Sequence, residues 1–259
     1  MARVSVENVG KTWGEESEES LEALKDISFT LESNEFLCII GPSGCGKSTL
    51  LNIMGRLEKP SHGRIDFWDI KDPAKPLTSI VFQEFALFPW KNVIENITLG
   101  LKFRGMAKES REELARGLVD IMRLRGFENK YPRQLSGGMK QRVAIARALA
   151  NDPEVMLMDE PFGSLDAQTR IVLQDELLRI WEERRMTVCF VTHNIEEAIL
   201  LGDRIIIMTA RPGAMKETIS VDIPRPRSQE CRMSEKFLKL YAELWRLLKE
   251  EVEKVSYEK

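Results

Sequence analysis

Long apolar runs are absent from this chain of 259 residues, in which the apolar stretches are short, such as residues 36–40, 155–158 and 205–208. A membrane-spanning helix needs about 20 apolar residues, so none of these stretches can cross a bilayer. The first residues lead directly into a strand-like pattern, and no apolar signal segment precedes it. We therefore expect a cytoplasmic protein, which can nevertheless bind a membrane partner.

Cysteine clusters and an excess of basic residues are missing as well. The four cysteines, at positions 38, 45, 189 and 231, have no metal-ligand spacing, and we expect reduced thiols. The 38 Lys and Arg residues are outnumbered by 41 Asp and Glu residues, which gives a net charge of −3. Nucleic-acid binding usually needs a clearly basic face, so we expect no nucleic-acid partner.

The order of strand and helix patterns indicates the fold class. Alternating apolar residues predict β-structure through the N-terminal third, and a mostly helical stretch follows from about residue 93 to 150. Strands at 155–158, 187–191 and 204–209 then alternate with helices at 171–184 and 195–201. This pattern predicts an α/β fold with a helix-covered parallel sheet, an N-terminal antiparallel β subdomain and an inserted helical subdomain.

We expect a single domain over residues 1–259. Its core comprises residues 1–84 and 151–222, its helical subdomain about residues 85–150, and its C-terminal connector and helix residues 223–259. The apolar face of that last helix is expected to pack on the domain through Phe237, Leu240, Tyr241, Leu244, Leu248 and Val252. An acidic run at residues 14–20 predicts a solvated hairpin loop. Residues 59–64 predict a turn in which His62 has no functional role.

A glycine-rich loop after the strand-like residues 35–40 matches the pattern G-x-x-x-x-G-K-[ST] in full. It consists of Gly41, Pro42, Ser43, Gly44, Cys45, Gly46, Lys47, Ser48 and Thr49. Such a loop curls so that backbone N–H groups point at phosphate oxygens, and the following helix adds positive potential. Lys47 can reach the β- and γ-phosphates, and the Ser48 hydroxyl can bind Mg²⁺. The motif predicts a nucleotide-phosphate site on a P-loop NTPase core of the RecA-like type.

Two adjacent acids, Asp159 and Glu160, follow the apolar strand at residues 155–158. A carboxylate at the end of such a strand is expected beside the phosphate loop, where Asp159 would hold Mg²⁺, usually through water. Glu160 faces the other way and can polarise an attacking water. Alone this pair is moderate evidence, but together with the phosphate loop it strongly indicates nucleotide hydrolysis.

A third motif separates the families that share these two elements. The helix that runs to residue 150 opens with Leu135-Ser136-Gly137-Gly138-Met139-Lys140-Gln141-Arg142. Here the chain resembles the ATP-binding subunits of ABC transporters, whose signature is LSGGQ-like, with Met139 where Gln is commonest. Ser136 and two glycines at a helix N-terminus can bind an anion. The resemblance implies that Ser136, Gly137 and Gly138 bind the γ-phosphate of ATP held by a second copy, in a head-to-tail dimer.

The resemblance implies roles for further residues, each by its position. Gln83, after the strand at 79–82, matches the Q-loop glutamine, which contacts Mg²⁺ and the attacking water. Asp166 matches the D-loop, which crosses the dimer interface, and a type I turn is the alternative. His193 matches the switch histidine, which hydrogen-bonds the γ-phosphate. Trp13 matches the aromatic residue that stacks on adenine, and a core or surface tryptophan is the alternative.

The residue after the switch histidine departs from the family pattern. Asn194 stands where the family commonly has Asp. Asn caps a helix about as well as Asp, and Glu197, three residues later, is expected to complete a capping box. The lost charge changes how His193 is polarised.

The resemblance also indicates a branch of the family. Residues 85–97 resemble the importer version of this segment, and their aromatic patch is expected to form the groove for a short helix of the membrane subunit. Packing in the helical subdomain is the alternative. Residues 210–213 and 224–227 resemble subunits that drive nitrate, sulfonate and taurine uptake. We expect an ATP- and Mg²⁺-dependent homodimer beneath permease subunits, at the cytoplasmic face of the membrane, with a separate solute-binding protein.

Three other functions compete with this hypothesis. A soluble ABC ATPase acting on DNA or ribosomes is disfavoured by the net charge and by the lack of coiled coils or a second ATPase half. An exporter-type or lipid-handling subunit is opposed only by the importer-like segments. A module that binds ATP without hydrolysing it is disfavoured because Lys47, Glu160 and His193 occur together.

Overall fold

The computed structural model describes residues 2–14, 20–70 and 72–257. Residues 15–19 of the acidic run, for which a solvated hairpin loop is predicted, lie outside the described residues. Within the described ranges the strands are β1 (Arg3–Trp13), β2 (Leu21–Leu31), β3 (Phe36–Ile40), β4 (His62–Trp68), β5 (Thr78–Val81), β6 (Val155–Asp159), β7 (Thr187–Thr192), β8 (Arg204–Met208) and β9 (Met215–Ser220). The α-helices are α1 (Lys47–Met54), α2 (Val93–Ile97), α3 (Leu99–Phe103), α4 (Lys108–Ile121), α5 (Gly137–Ala150), α6 (Ala167–Arg184), α7 (Ile195–Leu201) and α8 (Glu235–Tyr257).

Two sheets organise these elements. The larger sheet has the order β5-β6-β7-β3-β8-β9, in which all neighbours are parallel except the antiparallel pair β8 and β9. The smaller sheet has the antiparallel order β2-β1-β4. Helices α2 to α5 are inserted between β5 and β6. The predicted fold class, with its antiparallel N-terminal sheet and helical insertion, is confirmed.

The core lies on both faces of the larger sheet because side chains alternate along each strand. In β3, Phe36, Cys38 and Ile40 join a cluster with residues of α2 to α8. Leu37 and Ile39 point to the opposite face, where α1 and the smaller sheet complete a second cluster. Each strand residue of β3 is fully buried, so the sheet is held firmly between two apolar layers.

The parallel strand order positions the candidate site residues. Parallel strands present their carboxyl ends at one edge, and segments that follow neighbouring strands meet there. The phosphate loop follows β3, His193 follows β7, and Asp159 ends β6. Because β7 lies between β3 and β6, these three segments converge at the middle of the sheet edge.

The turn predicted at residues 59–64 is wrong at its end, where His62 begins strand β4 and pairs with Gly10. The strand was hard to predict because its pattern of alternating apolar and polar residues is short. Its apolar residues Ile65 and Phe67 are only partly buried. His62 also has a neighbour, since its Nε2 lies 3.3 Å from Asp26 Oδ1. The edge strand β9, like β4, has no counterpart in the sequence prediction.

The C-terminal helix α8 packs on the domain largely as predicted. Phe237, Leu244 and Leu248 are buried, but Val252 is 49% exposed, so the prediction is wrong at that position. Glu251 is buried in its place, because its carboxylate accepts hydrogen bonds from the Ala210 amide and from lysines. No helix within the described ranges is long and apolar enough to span a membrane.

Candidate functional site

The phosphate loop, residues 41–49, connects the buried strand β3 to helix α1. Gly44 and Gly46 adopt φ angles of 77° and 100°, in the left-handed region that glycine enters without strain. A Cβ atom on Gly46 would lie 2.8 Å from the Ala23 carbonyl oxygen, so the loop is seated directly against β2. The loop therefore brings its backbone and the N-terminus of α1 together, which is a favourable environment for an anion.

The Lys47 side chain folds back over this loop. Its ammonium Nζ donates to the carbonyl oxygens of Gly41, at 2.9 Å, and Pro42, at 3.0 Å. Lys47 is only 5% exposed, and Cys45 beside it is buried as a free thiol. A buried ammonium needs such partners, and an incoming phosphate can offer stronger, charge-assisted ones.

A pocket of about 380 Å³ opens beside the loop. The loop contributes Ser43, Gly44, Gly46, Lys47, Ser48 and Thr49 to its lining. Trp13, Gln83, Glu160 and Arg211 line it from other elements. The Trp13 ring is partly exposed and has Lys11 Nζ 4.2 Å from its centroid. The structure thus brings the predicted aromatic and glutamine residues together with the loop.

Asp159, at the end of β6, contacts the loop through Ser48. The Ser48 hydroxyl donates to Asp159 Oδ1 at 3.0 Å. Burial raises the pKa of the Asp159 carboxyl, and the hydrogen bond from Ser48 opposes this rise. A nearby cation would favour the charged carboxylate, so this pair of hard oxygen groups is suited to a divalent metal ion.

Glu160 and His193 face one another across neighbouring strand ends. His193 Nδ1 lies 2.8 Å from Glu160 Oε2, and the histidine side chain is more exposed than the glutamate. Glu160 has a φ of 43°, which is unusual for a residue with a side chain and is held by a hydrogen bond from its N–H to Val191 O. The fold fixes this carboxylate at the pocket wall, where it can accept a proton.

The residues on either side of His193 are anchored by a buried glutamate. Asn194 caps α7 by accepting from the Glu197 N–H at 3.2 Å, as predicted. The expected capping box is wrong in its second half, because the Glu197 carboxylate accepts instead from the Thr192 hydroxyl at 2.6 Å. Thr192 Oγ1 in turn accepts from the Asn194 N–H. Burial raises the pKa of the Glu197 carboxyl, and the hydrogen bonds from Thr192 and from Gln174, which donates to the second carboxylate oxygen, oppose this rise.

The signature face consists of Ser136, Gly137, Gly138 and Asp166. Ser136 caps α5 by accepting from the Met139 N–H at 3.3 Å, and Asp166 caps α6 by accepting from the Thr169 N–H at 3.0 Å. A Cβ atom on Gly138 would lie 2.6 Å from Thr169 Cγ2, so the two helix starts are in close contact. Among the described residues that line the phosphate pocket, none belongs to the signature face.

Arg211 is a pocket residue to which the sequence analysis assigned no role. Its guanidinium Nε and Nη2 donate to the Gly44 carbonyl oxygen at 3.3 and 3.1 Å. The only signal in the sequence was its place in the segment at residues 210–213. Its distance from the motifs along the chain hides the contact, which arises because β8 ends beside β3.

Comparisons with known proteins agree with the motifs. The sequence profile of the ABC transporter family matches residues 24–163, more than half of the chain. An uncharacterised ABC transporter ATP-binding protein of Methanocaldococcus jannaschii is 47% identical over 252 residues, which cover 96% of this chain and 92% of the relative. The aliphatic sulfonates import ATP-binding protein of Bacillus licheniformis is 50% identical over 208 residues, which cover 80% of each chain.

A solved structure extends the agreement to three dimensions. A dimeric ATP-binding cassette in a post-hydrolysis state, bound to ADP and Pi, superimposes with a TM-score of 0.75 at 37% identity. The match covers 85% of this chain and 100% of that chain. The chain therefore belongs to the ATP-binding proteins of the ABC transporter family and is an ABC-type ATPase.

Proposed function

We propose that this ATPase powers a membrane importer for a sulfonate, taurine, nitrate or a related small solute. The observation that carries the proposal is the 50% identity to an aliphatic sulfonates import ATP-binding protein. The segments at residues 210–213 and 224–227 support the same branch. In this proposal the protein is a peripheral subunit at the cytoplasmic face, bound to permease subunits that receive the solute from a separate binding protein.

ATP is held mainly by the phosphate pocket. The phosphates take the place of the carbonyl partners of Lys47, because a charged oxygen is a stronger acceptor than a backbone carbonyl. The loop amides and the start of α1 add hydrogen bonds to the same phosphates. Trp13, at the open side of the pocket, offers its exposed ring surface for stacking on adenine.

Mg²⁺ fits the oxygen groups of Ser48, Asp159 and Gln83. Magnesium prefers hard oxygen ligands and in phosphate sites takes only one or two from the protein. The 3.0 Å contact between Ser48 and Asp159 supports such a site. Within the described ranges there is no cluster of three or more His, Cys, Asp or Glu side chains that could form a separate metal site. Bound Mg²⁺ would neutralise charge on the phosphates.

Hydrolysis needs a base that accepts the proton of the attacking water and a group that hydrogen-bonds the γ-phosphate. The Glu160 carboxylate is fixed at the pocket wall and is proposed to accept the proton of the attacking water. His193 is proposed to hydrogen-bond the γ-phosphate. Its 2.8 Å contact with Glu160 holds the two side chains next to each other. Gln83 lines the same pocket and is placed to orient the water.

A second copy is proposed to complete the site. The signature face offers a capped helix start with two glycines, yet it does not line the phosphate pocket of its own chain among the described residues. In a head-to-tail dimer, Ser136 and its neighbours would close over the γ-phosphate of the other copy, and Asp166 would lie at the interface. The dimeric state of a related cassette supports this arrangement.

A docking groove beside the pocket is proposed to receive a permease helix. Phe82, Phe88, Leu99 and Phe103 line an apolar groove of about 390 Å³. Phe103, which is 81% exposed, lies in this groove with the other three apolar side chains, and such an exposed apolar patch supports an interaction site. Because Phe82 lines this groove and the adjacent Gln83 lines the phosphate pocket, movement at one site can be transmitted to the other.

The Asn96 side chain fixes the wall of the docking groove. It is fully buried, accepts from the Phe88 N–H and donates to the carbonyl oxygen of Lys91. Arg147 donates to the Ala86 carbonyl oxygen from the other side. These bonds order a segment without regular secondary structure, so the groove is preformed for a partner helix.

Co-purification tests this function. Tagged Glu160→Gln protein is trapped with ATP in its native cell, pulled from solubilised membranes and analysed by mass spectrometry. We expect a multi-span membrane protein, whose recovery is lost with Phe103→Asp in the docking groove and kept with Phe127→Asp outside it. Recovery of ribosomes or DNA-repair proteins without a membrane protein would overturn the transport proposal.

A further inference from the structure

The 209–214 loop, which follows β8, has no part in the proposed reaction but contacts the phosphate loop directly. Arg211 donates two hydrogen bonds from its guanidinium to the Gly44 carbonyl oxygen. Arg211 is exposed, so these bonds are not required to bury the side chain. The contact joins a residue distant in sequence to the centre of the nucleotide site.

Backbone contacts hold the 209–214 loop in a fixed position. A Cβ atom on Gly213 would lie 1.9 Å from the Cys45 carbonyl oxygen, so the two loops pack backbone against backbone. The Gly213 N–H donates to Ala23 O at 3.0 Å, and Gly213 O accepts from the Lys25 N–H at 2.9 Å. The 209–214 loop is therefore bonded to β2 and packed against the phosphate loop.

Helix α8 holds the other side of the 209–214 loop. Glu251, only 1% exposed, accepts from the Ala210 N–H through Oε2 at 3.0 Å. Its Oε1 accepts from Lys216 Nζ at 2.9 Å and Lys254 Nζ at 2.7 Å. Burial acts to raise the pKa of Glu251, but these hydrogen bonds outweigh it and lower the pKa to about 2. The carboxylate is therefore charged at neutral pH.

The bond to Gly44 O has a consequence for the next amide. In a trans peptide the C=O and the following N–H point in opposite directions. While the Gly44 carbonyl oxygen accepts from Arg211, the Cys45 N–H of the same peptide donates to Pro42 O at 3.3 Å. Pro42 O also accepts from Lys47 Nζ, which places the Cys45 N–H on the side of the loop that faces the ammonium.

We infer that Arg211 is a positioning residue for the phosphate loop, and that Glu251 makes α8 part of this device by holding the 209–214 loop in place. The inference rests on the proposal that residues 41–49 bind the nucleotide phosphates. In this inference Arg211 acts through the Gly44–Cys45 peptide rather than through a contact with the γ-phosphate.

Nucleotide affinities of Arg211→Ala test the positioning role. Since the peptide serves phosphates common to both nucleotides, we expect the Kd values for ATP and ADP to rise equally, by about 3- to 10-fold. Arg211→Lys keeps one donor group and is expected to restore part of the affinity. A loss confined to ATP would show direct contact with the γ-phosphate and overturn the inference, as would unchanged affinities for both nucleotides.

Neighbouring glutamates on α8 provide a matched pair of variants. Glu250 also binds Lys216 but does not accept from the Ala210 amide. We expect Glu251→Ala to weaken ADP binding by about the same factor as Arg211→Ala, with Glu250→Ala unchanged. The double variant Arg211→Ala/Glu251→Ala is expected to be no weaker than either single variant, because both act through one contact. Full additivity, or equal effects of the two glutamates, would contradict the inference.

A control separates this inference from the proposed site. Lys47→Ala is expected to weaken ADP binding by about 100-fold, as it does ATP binding. If it binds ADP normally, the proposed site itself fails. If it loses ADP while Arg211→Ala does not, only the positioning role fails. The Tm of every variant is measured, and Arg211→Ala, altered at an exposed side chain, is expected to keep the wild-type value.

Discussion

The phosphate pocket and the signature face differ in how far their own chain completes them. At the pocket, three separate segments meet, and their functional groups bond to one another: Lys47 to loop carbonyls, Ser48 to Asp159, and Glu160 to His193. The signature face has caps and glycines at two helix starts, but its groups bond only within those helices. The difference fits the proposed head-to-tail dimer, in which the parallel sheet assembles one half of each nucleotide site and the signature face of a second copy supplies the other half.

The two regions also differ in what ligand binding costs and gains in free energy. Lys47 and Asp159 are buried in the phosphate pocket, so each must keep a partner or incur a desolvation cost. When a ligand binds at that site, these buried groups exchange their partners within the protein for groups of the ligand. Groups on the signature face are exposed, and binding there gains interactions without breaking internal ones. Variants of the two regions should therefore fail in different measurements.

Glu160→Gln should give the largest effect. The amide keeps the size of the side chain but cannot accept the proton of water, so we expect kcat to fall by about 10³-fold. Nucleotide affinity should be unchanged, because the phosphates are held by other groups. Steady-state ATPase rates and equilibrium ATP binding check this expectation, and an equally active variant would remove Glu160 as the base.

Lys47→Ala should lower the affinity of the phosphate pocket for nucleotide. Loss of a charge-assisted contact to phosphate is expected to weaken ATP binding by about 100-fold. Equilibrium titration with a fluorescent ATP analogue measures the loss. Normal affinity in this variant would show that the glycine-rich loop is not the phosphate site.

Ser136→Asp should impair the signature face and leave the phosphate pocket intact. Aspartate caps a helix about as well as serine, so folding and nucleotide binding by the monomer should persist. A carboxylate facing the γ-phosphate of another copy is expected to reduce ATPase activity by roughly 50-fold through like-charge repulsion. Ser136→Asn keeps the cap without the charge and should be much less impaired. Equal effects of the two variants would indicate that Ser136 only caps α5.

Substitution of the buried Glu251 should give the smallest effect, which appears in the free energy of unfolding. Its folded pKa of about 2 lies below the ordinary value of 4.5, so its contribution is fully present above about pH 4.5 and is lost as the pH falls toward 2. We expect Glu251→Gln to be less stable than wild type by about 2 kcal/mol at pH 7 and by less at pH 3.5. Urea unfolding at both pH values measures the difference, which should not grow on acidification.

The sequence was sufficient for most of the phosphate pocket because local patterns specify it. The buried strand β3, the glycines and Lys47 are adjacent in the chain, the acidic pair after an apolar strand indicated Asp159, and the family resemblance indicated His193. Arg211 was missed because its contact with Gly44 depends on the strand order, which no local pattern encodes.

The buried face of α8 shows a second limit of sequence reading. Periodicity favours the apolar Val252, but Glu251 is buried instead, because backbone and lysine donors can satisfy a buried carboxylate. Such partners lie on β9 and the 209–214 loop, more than 30 residues away along the chain. The second half of the capping box at Glu197 is absent for a local reason, because the Glu197 carboxylate accepts from the Thr192 hydroxyl, five residues away, instead of from the cap backbone.

Mixing two inactive variants tests most directly whether two copies share each site. Lys47→Ala lacks a working phosphate pocket, and Ser136→Asp lacks a working signature face, so each is expected to be inactive alone. A mixed head-to-tail dimer contains one site in which both halves are intact. On 1:1 mixing we predict ATPase activity well above either parent, up to about a quarter of wild type, because half of the dimers carry one intact site of two. Activity that stays at the level of the parents, in mixtures shown to exchange subunits, would contradict the shared site.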